Sequence, residues 1–300
     1  MSNSVETLYN TTLKAEMLGL DRLRMGLLGA CSLLGALGGF WVWTTVSNDG
    51  SQALGLVAGP LAFLVFLVVV YVPGRRLYSN RFRLGVIRPF LQSVLPAAHY
   101  IPDEGVRQES FEKALFFGES ISRYQSSDYV KCQIGSIPVV ICFVEATGYR
   151  ASYGVVPVFT GLFAAFPLAR KVSSPVVIRT RDKSTESPEI GAAGFSEWLL
   201  GEGAFQQGFA LFGRNPNLVG ELVTETVQHL LLQCRQFGAV ELSVQGAYGY
   251  LALSLPKSFF EPSVMEPIRD VSELVRIGFV LRSIQQLIQA VDASCQSLSV

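Results

Sequence analysis

Metal-binding and redox motifs are what this chain of 300 residues most plainly lacks. It holds two His, His99 and His229, and five Cys. No Cys stands in C-x-x-C and no H-E-x-x-H occurs, so the spacings that assemble a zinc site are missing. Glycine is plentiful, yet no Walker-type Lys-Ser/Thr pair follows a glycine run. Gly201-Glu202-Gly203 lacks the third glycine of a dinucleotide fingerprint. A serine nucleophile in G-x-S-x-G is absent as well. His229 stands four residues after Glu225, a spacing that sets both on one helix face, and a solvated face is the plainer account of that pair. With no catalytic constellation and no cofactor or metal motif, the expectation is a non-enzyme.

Charge is missing from two stretches, Met25 to Val46 and Ala53 to Val72. Each is about 20 residues long, the length a helix needs to cross a hydrocarbon core of about 30 Å. Between them lies only the polar turn Ser47-Asn48-Asp49-Gly50-Ser51-Gln52. This predicts a transmembrane hairpin over 25–73, with spans at 25–46 and 53–72. A cleaved signal peptide fits less well, since the first run is too long for its apolar region and a second span follows at once. Neither span holds a charged residue or a His. Ion paths and proton relays are built on such groups, so a pump or transporter is not the expectation.

The flanks set the orientation. The turn carries Asp49 and no Lys or Arg, whereas Arg75, Arg76, Arg81, Arg83 and Arg88 crowd the exit of the second run without an acidic residue among them. Lys14, Arg22 and Arg24 precede the first run. Positive residues near span ends stay on the cytoplasmic side. The expectation is a multi-pass protein of the inner (plasma) membrane with both termini cytoplasmic. The five Arg are candidate membrane-surface residues that could also touch anionic lipid. Gly35 and Gly39, and Gly55 and Gly59, form two G-x-x-x-G pairs. They suit close packing of the two spans on each other, with a homo-oligomer as the alternative.

Residues 1–24 read as an amphipathic cytoplasmic helix, with Leu8, Leu13, Met17, Leu20 and Leu23 at helical spacing. Residues 74–96 form the basic juxtamembrane segment. From 89 onward the chain carries 16 Lys or Arg against 20 Asp or Glu, a formal charge of −4. A mildly acidic body is not a nucleic-acid binder on charge grounds.

Residues 97–300 are expected to form one cytoplasmic α+β domain, mainly an antiparallel sheet with packing helices. Glu109 to Phe117 reads as a short helix, and His99 falls in a linker. Tyr129 to Ile134 and Pro138 to Ala146 flank Gly135-Ser136, a hairpin pattern. Val155 to Phe166 and Val172 to Arg181 are strand-like, and the polar stretch from Asp182 to Ala193 reads as a loop. Asn215-Pro216 opens one helix that should run to Gly238, with Leu218, Val219, Leu222, Val223, Thr226, Leu230 and Cys234 on its inner face. Val240 to Val244 and Tyr250 to Leu255 form a second hairpin about the turn Gly246-Ala247-Tyr248-Gly249. A long C-terminal helix should span Pro267 to Ala293. Its stripe of Leu274, Ile277, Leu281, Ile284, Ile288 and Val291 either caps the chain's own sheet or pairs with another chain. Cys132, Cys142, Cys234 and Cys295 are expected as free thiols.

Several of these segments together resemble a bacterial membrane-protein family catalogued as domain of unknown function 3137. The resemblance rests on the N-terminal hairpin with its basic exit, and on Ser126-Ser127-Asp128-Tyr129-Val130-Lys131 leading into a strand with Gly135. It continues in Val158-Phe159-Thr160-Gly161-Leu162-Phe163, which is similar to that family's Phe-x-Gly-hydrophobic-Phe strand. Phe205 to Phe212, Asn215-Pro216 with Leu222-Val223-Thr224, Tyr250-Leu251-Ala252-Leu253 and Phe260-Glu261-Pro262 complete it. The resemblance implies topology and domain order and assigns no activity. The expected role is a non-enzymatic scaffold or regulator that brings a protein partner to the bilayer. The alternative is a lipid-binding or lipid-handling module with a pleckstrin-homology-like sheet, which would show a large apolar pocket.

Overall fold

The computed structural model describes residues 9, 13–48, 67–95, 97–114, 121–150, 154–181, 194–200, 203–262, 264 and 272–298. The expected second span, the turn before it and the polar stretch 182–193 lie largely or wholly outside these residues. Two units divide the chain. One comprises Met1–Phe90 with Phe260–Val271, the other Leu91–Phe259 with Ser272–Val300.

In the first unit, helix α1 runs unbroken over Lys14–Asn48. It joins the expected amphipathic helix and the first span into one rod, because nothing between Asp21 and Gly26 stops a helix. Leu13 just before it and Met17, Leu20 and Arg24 in its first part are buried, a spacing of four, three and four that defines one face. Helix α2, Val72–Phe82, begins with Pro73 in its first turn, where the missing N–H is not needed. A wider helical turn over Arg83–Ile87 follows, and then helix α3, Arg88–Val94, whose residues from Leu91 onward belong to the second unit. Helices α1 and α2 pack together. The contact is close because Gly74 has no side chain: a Cβ there would come within 2.6 Å of Leu27 Cδ1.

The second unit is built on a nine-stranded antiparallel sheet. Its strands are β1 His99–Ile101, β2 Ile121–Ile134, β3 Ile137–Arg150, β4 Gly154–Pro167, β5 Val176–Thr180, β6 Ser196–Trp198, β7 Phe209–Gly213, β8 Val240–Gln245 and β9 Tyr248–Ser254. Their order across the sheet is β1-β2-β3-β4-β9-β8-β5-β7-β6. The hairpin at Gly135-Ser136 forms as the sequence predicts, with Ile134 opposite Ile137 and Cys132 opposite Val139. Gly135 takes a φ of +63°, which glycine adopts at little cost. The turn of the second hairpin is tighter than expected, since Gln245 pairs with Tyr248 and only Gly246-Ala247 lie outside the ladder. His99, expected in a linker, is instead a strand residue paired with Lys131 at the sheet edge.

Short helices α4, Gln108–Glu112, and α5, Ala204–Gly208, precede strands. Phe111 of α4 anchors a cluster with Cys142, Val144, Ala146, Phe159, Phe163, Tyr250 and Ala252. Its ring lies 5.2 Å from that of Phe163, edge to face, a favourable arrangement for aromatic pairs.

The helix expected from Asn215 to Gly238 is two helices, α6 Pro216–Leu222 and α7 Glu225–Arg235. Asn215 caps the first as predicted, accepting from the Asn217 N–H at 3.0 Å. Thr224 then caps the second, its hydroxyl accepting from the Val227 N–H. Thr226, expected on the inner face, is exposed, and Val227 is buried in its place. Helix α8, Ser272–Gln296, buries all six residues of its predicted stripe. It packs on α6, α7 and β2, so the stripe caps its own unit.

Candidate functional site

Over Lys14–Val42, α1 is long and apolar enough to cross a membrane, and its most apolar window is not buried anywhere in the molecule. Leu33, Leu34, Leu37, Phe40 and Trp41 all stand exposed. For a folded protein such a row needs an apolar environment of its own.

The five Arg of the juxtamembrane segment do not share one environment. Arg75, Arg76, Arg81 and Arg88 are exposed on α2 and α3. Arg81 reaches Glu16 of α1 at 3.5 Å, a solvent-screened pair of small energetic value. Arg83 is turned inward, with 8% of its surface exposed, and its Nη2 donates to Glu261 Oε1 at 2.8 Å. That bond ties the helical segment to a residue 178 positions away, within the same unit. Sequence reading grouped Arg83 with its neighbours because spacing along the chain carries no trace of so remote a partner. The signal that could have separated it is its phase, which falls between the buried Phe82 and Val86.

The chemistry-bearing residues of the second unit are scattered. His99 and His229 are both exposed, as are Glu225 and Glu221. Among the described residues no three His, Cys, Asp or Glu side chains gather as a metal site. The four Cys of this unit are buried and unbridged. Burial pushes the thiols of Cys132 and Cys142 up to about 11, and those of Cys234 and Cys295 up to about 12. They are protonated at neutral pH and lack the thiolate a nucleophile or metal ligand needs.

One largely buried charged pair has no clear signature in the sequence. Arg179 of β5 stands opposite Glu241 of β8, with Nε 3.6 Å from Oε1. Glu241 is opposite Ala252, and Ala252 opposite Phe163, so the pair shares a sheet face with the Phe111 cluster. Burial drives the Glu241 carboxyl up to about 7, against the lowering pull of the Arg179 guanidinium. Its second oxygen and the hydroxyl of Ser243 are buried without a hydrogen-bond partner among the described residues. The alternating apolar and basic run Val177-Ile178-Arg179-Thr180-Arg181 was the only hint. It does not say that Arg179 faces inward while Arg181 pairs with Glu197 at the surface.

No protein of curated function matches the chain. The crystal structure of the mycobacterial trehalose monomycolate transport factor A, TtfA, is similar over 71% of this chain and 94% of that one, at 10% identity and a TM-score of 0.37. The stretch from β4 to α8, residues 157–293, matches the family described as "Protein of unknown function (DUF3137)", the same family that the strand and helix motifs resemble.

Proposed function

We propose that this chain is a membrane-anchored module of the bacterial inner membrane, a non-enzymatic scaffold or regulator whose α+β body recruits a protein partner on the cytoplasmic side. The observation that carries the reading is the exposed apolar length of α1 over Lys14–Val42. A rod of that composition is stable when lipid surrounds it. The exposed Arg75, Arg76, Arg81 and Arg88 support a cytoplasmic placement of the body, because basic residues resist transfer across the bilayer. The second span over 53–72 and the position of both termini inside the cell belong to the same proposal. The alternative reading is a lipid-binding or lipid-handling module, which a large apolar pocket would favour.

Fractionation tests the anchor and the recruitment together. The full chain is expected to stay with membranes through alkaline carbonate washing and to retain one reproducible partner after mild solubilisation. A chain lacking residues 1–73 is expected in the soluble fraction, with the partner no longer held at the membrane. Release of the full chain by carbonate would contradict the proposal.

A further inference from the structure

A cleft of about 400 Å³ opens where the β2–β3 hairpin turn meets α8 and the end of α3. Its walls are Gln133, Ile134 and Gly135 from the hairpin, Val94 from α3, and Arg282, Gln285, Gln286 and Gln289 from α8. The four α8 residues follow the spacing i, i+3, i+4 and i+7, so they form one continuous polar row opposite the buried stripe. Four side-chain amides and one guanidinium make up the polar wall, and the only formal charge is that of Arg282.

These groups are largely unspent. Gln285 donates from Nε2 to the Val94 carbonyl at 3.3 Å, which leaves its amide oxygen as an acceptor. Gln289 lies against the turn, its Nε2 3.7 Å from where a Cβ on Gly135 would sit. Glycine at that position serves the turn, whose φ of +63° a residue with a side chain rarely adopts. Arg282 is exposed and enters no ion pair among the described residues, although Arg276, two turns earlier on the same helix, lies 3.7 Å from Glu273. A solvated helix face more often balances such an Arg with a Glu or Asp three or four residues away. Here those positions hold Gln285 and Gln286.

We infer that this cleft binds a small polar molecule carrying one phosphate or carboxylate group, with Arg282 as the oxyanion anchor and the glutamines reading the hydroxyl or amide groups beside it. The guanidinium fork matches an oxyanion with two parallel donors. Each glutamine offers a donor pair and an acceptor, the combination that recognises hydroxyl groups. The volume lies within the range of small-molecule sites, and the scarcity of apolar lining selects a hydrophilic ligand over a lipid tail. A soluble metabolite and a lipid headgroup share this chemistry.

The test uses the full chain in nanodiscs of phosphatidylcholine, titrated calorimetrically with glucose 6-phosphate, glucose and inorganic phosphate. Glucose 6-phosphate is expected to bind at least tenfold more tightly than either fragment. Arg282→Gln should weaken it at least tenfold while the melting temperature stays unchanged. Gln289→Ala should weaken glucose 6-phosphate and leave inorganic phosphate unaffected. Repeating the titration in phosphatidylglycerol nanodiscs separates the sources: loss of soluble binding in the wild type marks a lipid headgroup, and retention marks a metabolite. No binding of any probe, or equal binding by wild type and Arg282→Gln, would overturn the assignment.

Discussion

The hydroxyl of Tyr100 donates to Oδ1 of Asp128 at 2.5 Å, and both side chains are buried. Asp128 sits at an irregularity in the β2–β3 ladder, between Ser127 and Val130, with a φ of +56°. Asp is one of the few residues with a side chain that visits this region readily. Its other oxygen accepts from Ser127 Oγ at 3.0 Å, and its N–H donates to the Pro102 carbonyl. The bulge, the edge strand β1 and the segment after it are thus held by one residue, the first two through its carboxylate and the last through its N–H. Tyr100→Phe is expected to lower stability by about 1.5–3 kcal/mol, the range for a hydrogen bond to a charged group. Asp128→Ala should cost more, because it also puts Ala at a positive φ, and Asp128→Asn less. Thermal unfolding of the three variants checks the order.

Thr224 decides where one helix ends and the next begins. Thr224→Ala should destabilise by about 0.5–2 kcal/mol and speed amide exchange in the first turn of α7, while Thr224→Ser retains most of the cap. Equal exchange in the Ala variant would contradict the role given to the hydroxyl.

Two glycines should respond in opposite directions. A Cβ on Gly161, inside the Phe159-x-Gly161-Leu162-Phe163 strand, would run into the Leu253 carbonyl oxygen of β9. Gly161→Ala is therefore expected to destabilise the sheet by several degrees of melting temperature or to prevent folding. Gly220, within α6, has open space around it. Gly220→Ala should stabilise by about 0.5–1 kcal/mol through helix propensity.

The largely buried Glu241 makes stability depend on pH. Its folded-state value of about 7 exceeds the ordinary 4.5, so the native state binds a proton more readily than the unfolded chain. That contribution is fully present below about 4.5 and is lost as pH rises through about 7. The melting temperature should carry a component that falls between pH 5 and pH 8, and Glu241→Gln should flatten that part of the profile. An unchanged profile in the variant would assign the dependence to other groups.

The four buried thiols give a kinetic prediction. With values raised by burial to about 11 or 12, Cys132, Cys142, Cys234 and Cys295 should resist alkylation in the folded protein. They should label completely, without reductant, once it is unfolded. A pair that labels only after reduction would reveal a bridge.

Local rules carried much of this fold. The Gly135-Ser136 hairpin, the Asn215 cap and the α8 stripe each depend on residues within a turn or two of one another, and each formed as its pattern predicts. What was not legible depends on partners far along the chain. Arg83 looks like any Arg of the collar until Glu261 is beside it. His99 reads as linker because three residues of edge strand carry too little pattern of their own, and the ladder with β2 decides the matter. The break at Thr224 escaped notice because a residue that can cap is also tolerated within a helix, and apolar spacing continued on both sides. The α8 cleft was invisible for a related reason: a run of Gln on an exposed face gains meaning only once the hairpin turn closes the other wall.

Topology is the central claim, and compartment-specific reporters test it most directly. One fusion places a reporter after Val300, and a second inserts it between Asn48 and Ser51. The account predicts cytoplasmic activity at Val300 and external activity at the insertion, since the positive residues flank the apolar runs and none lies between them. A Val300 reporter active only outside the cytoplasm would contradict it.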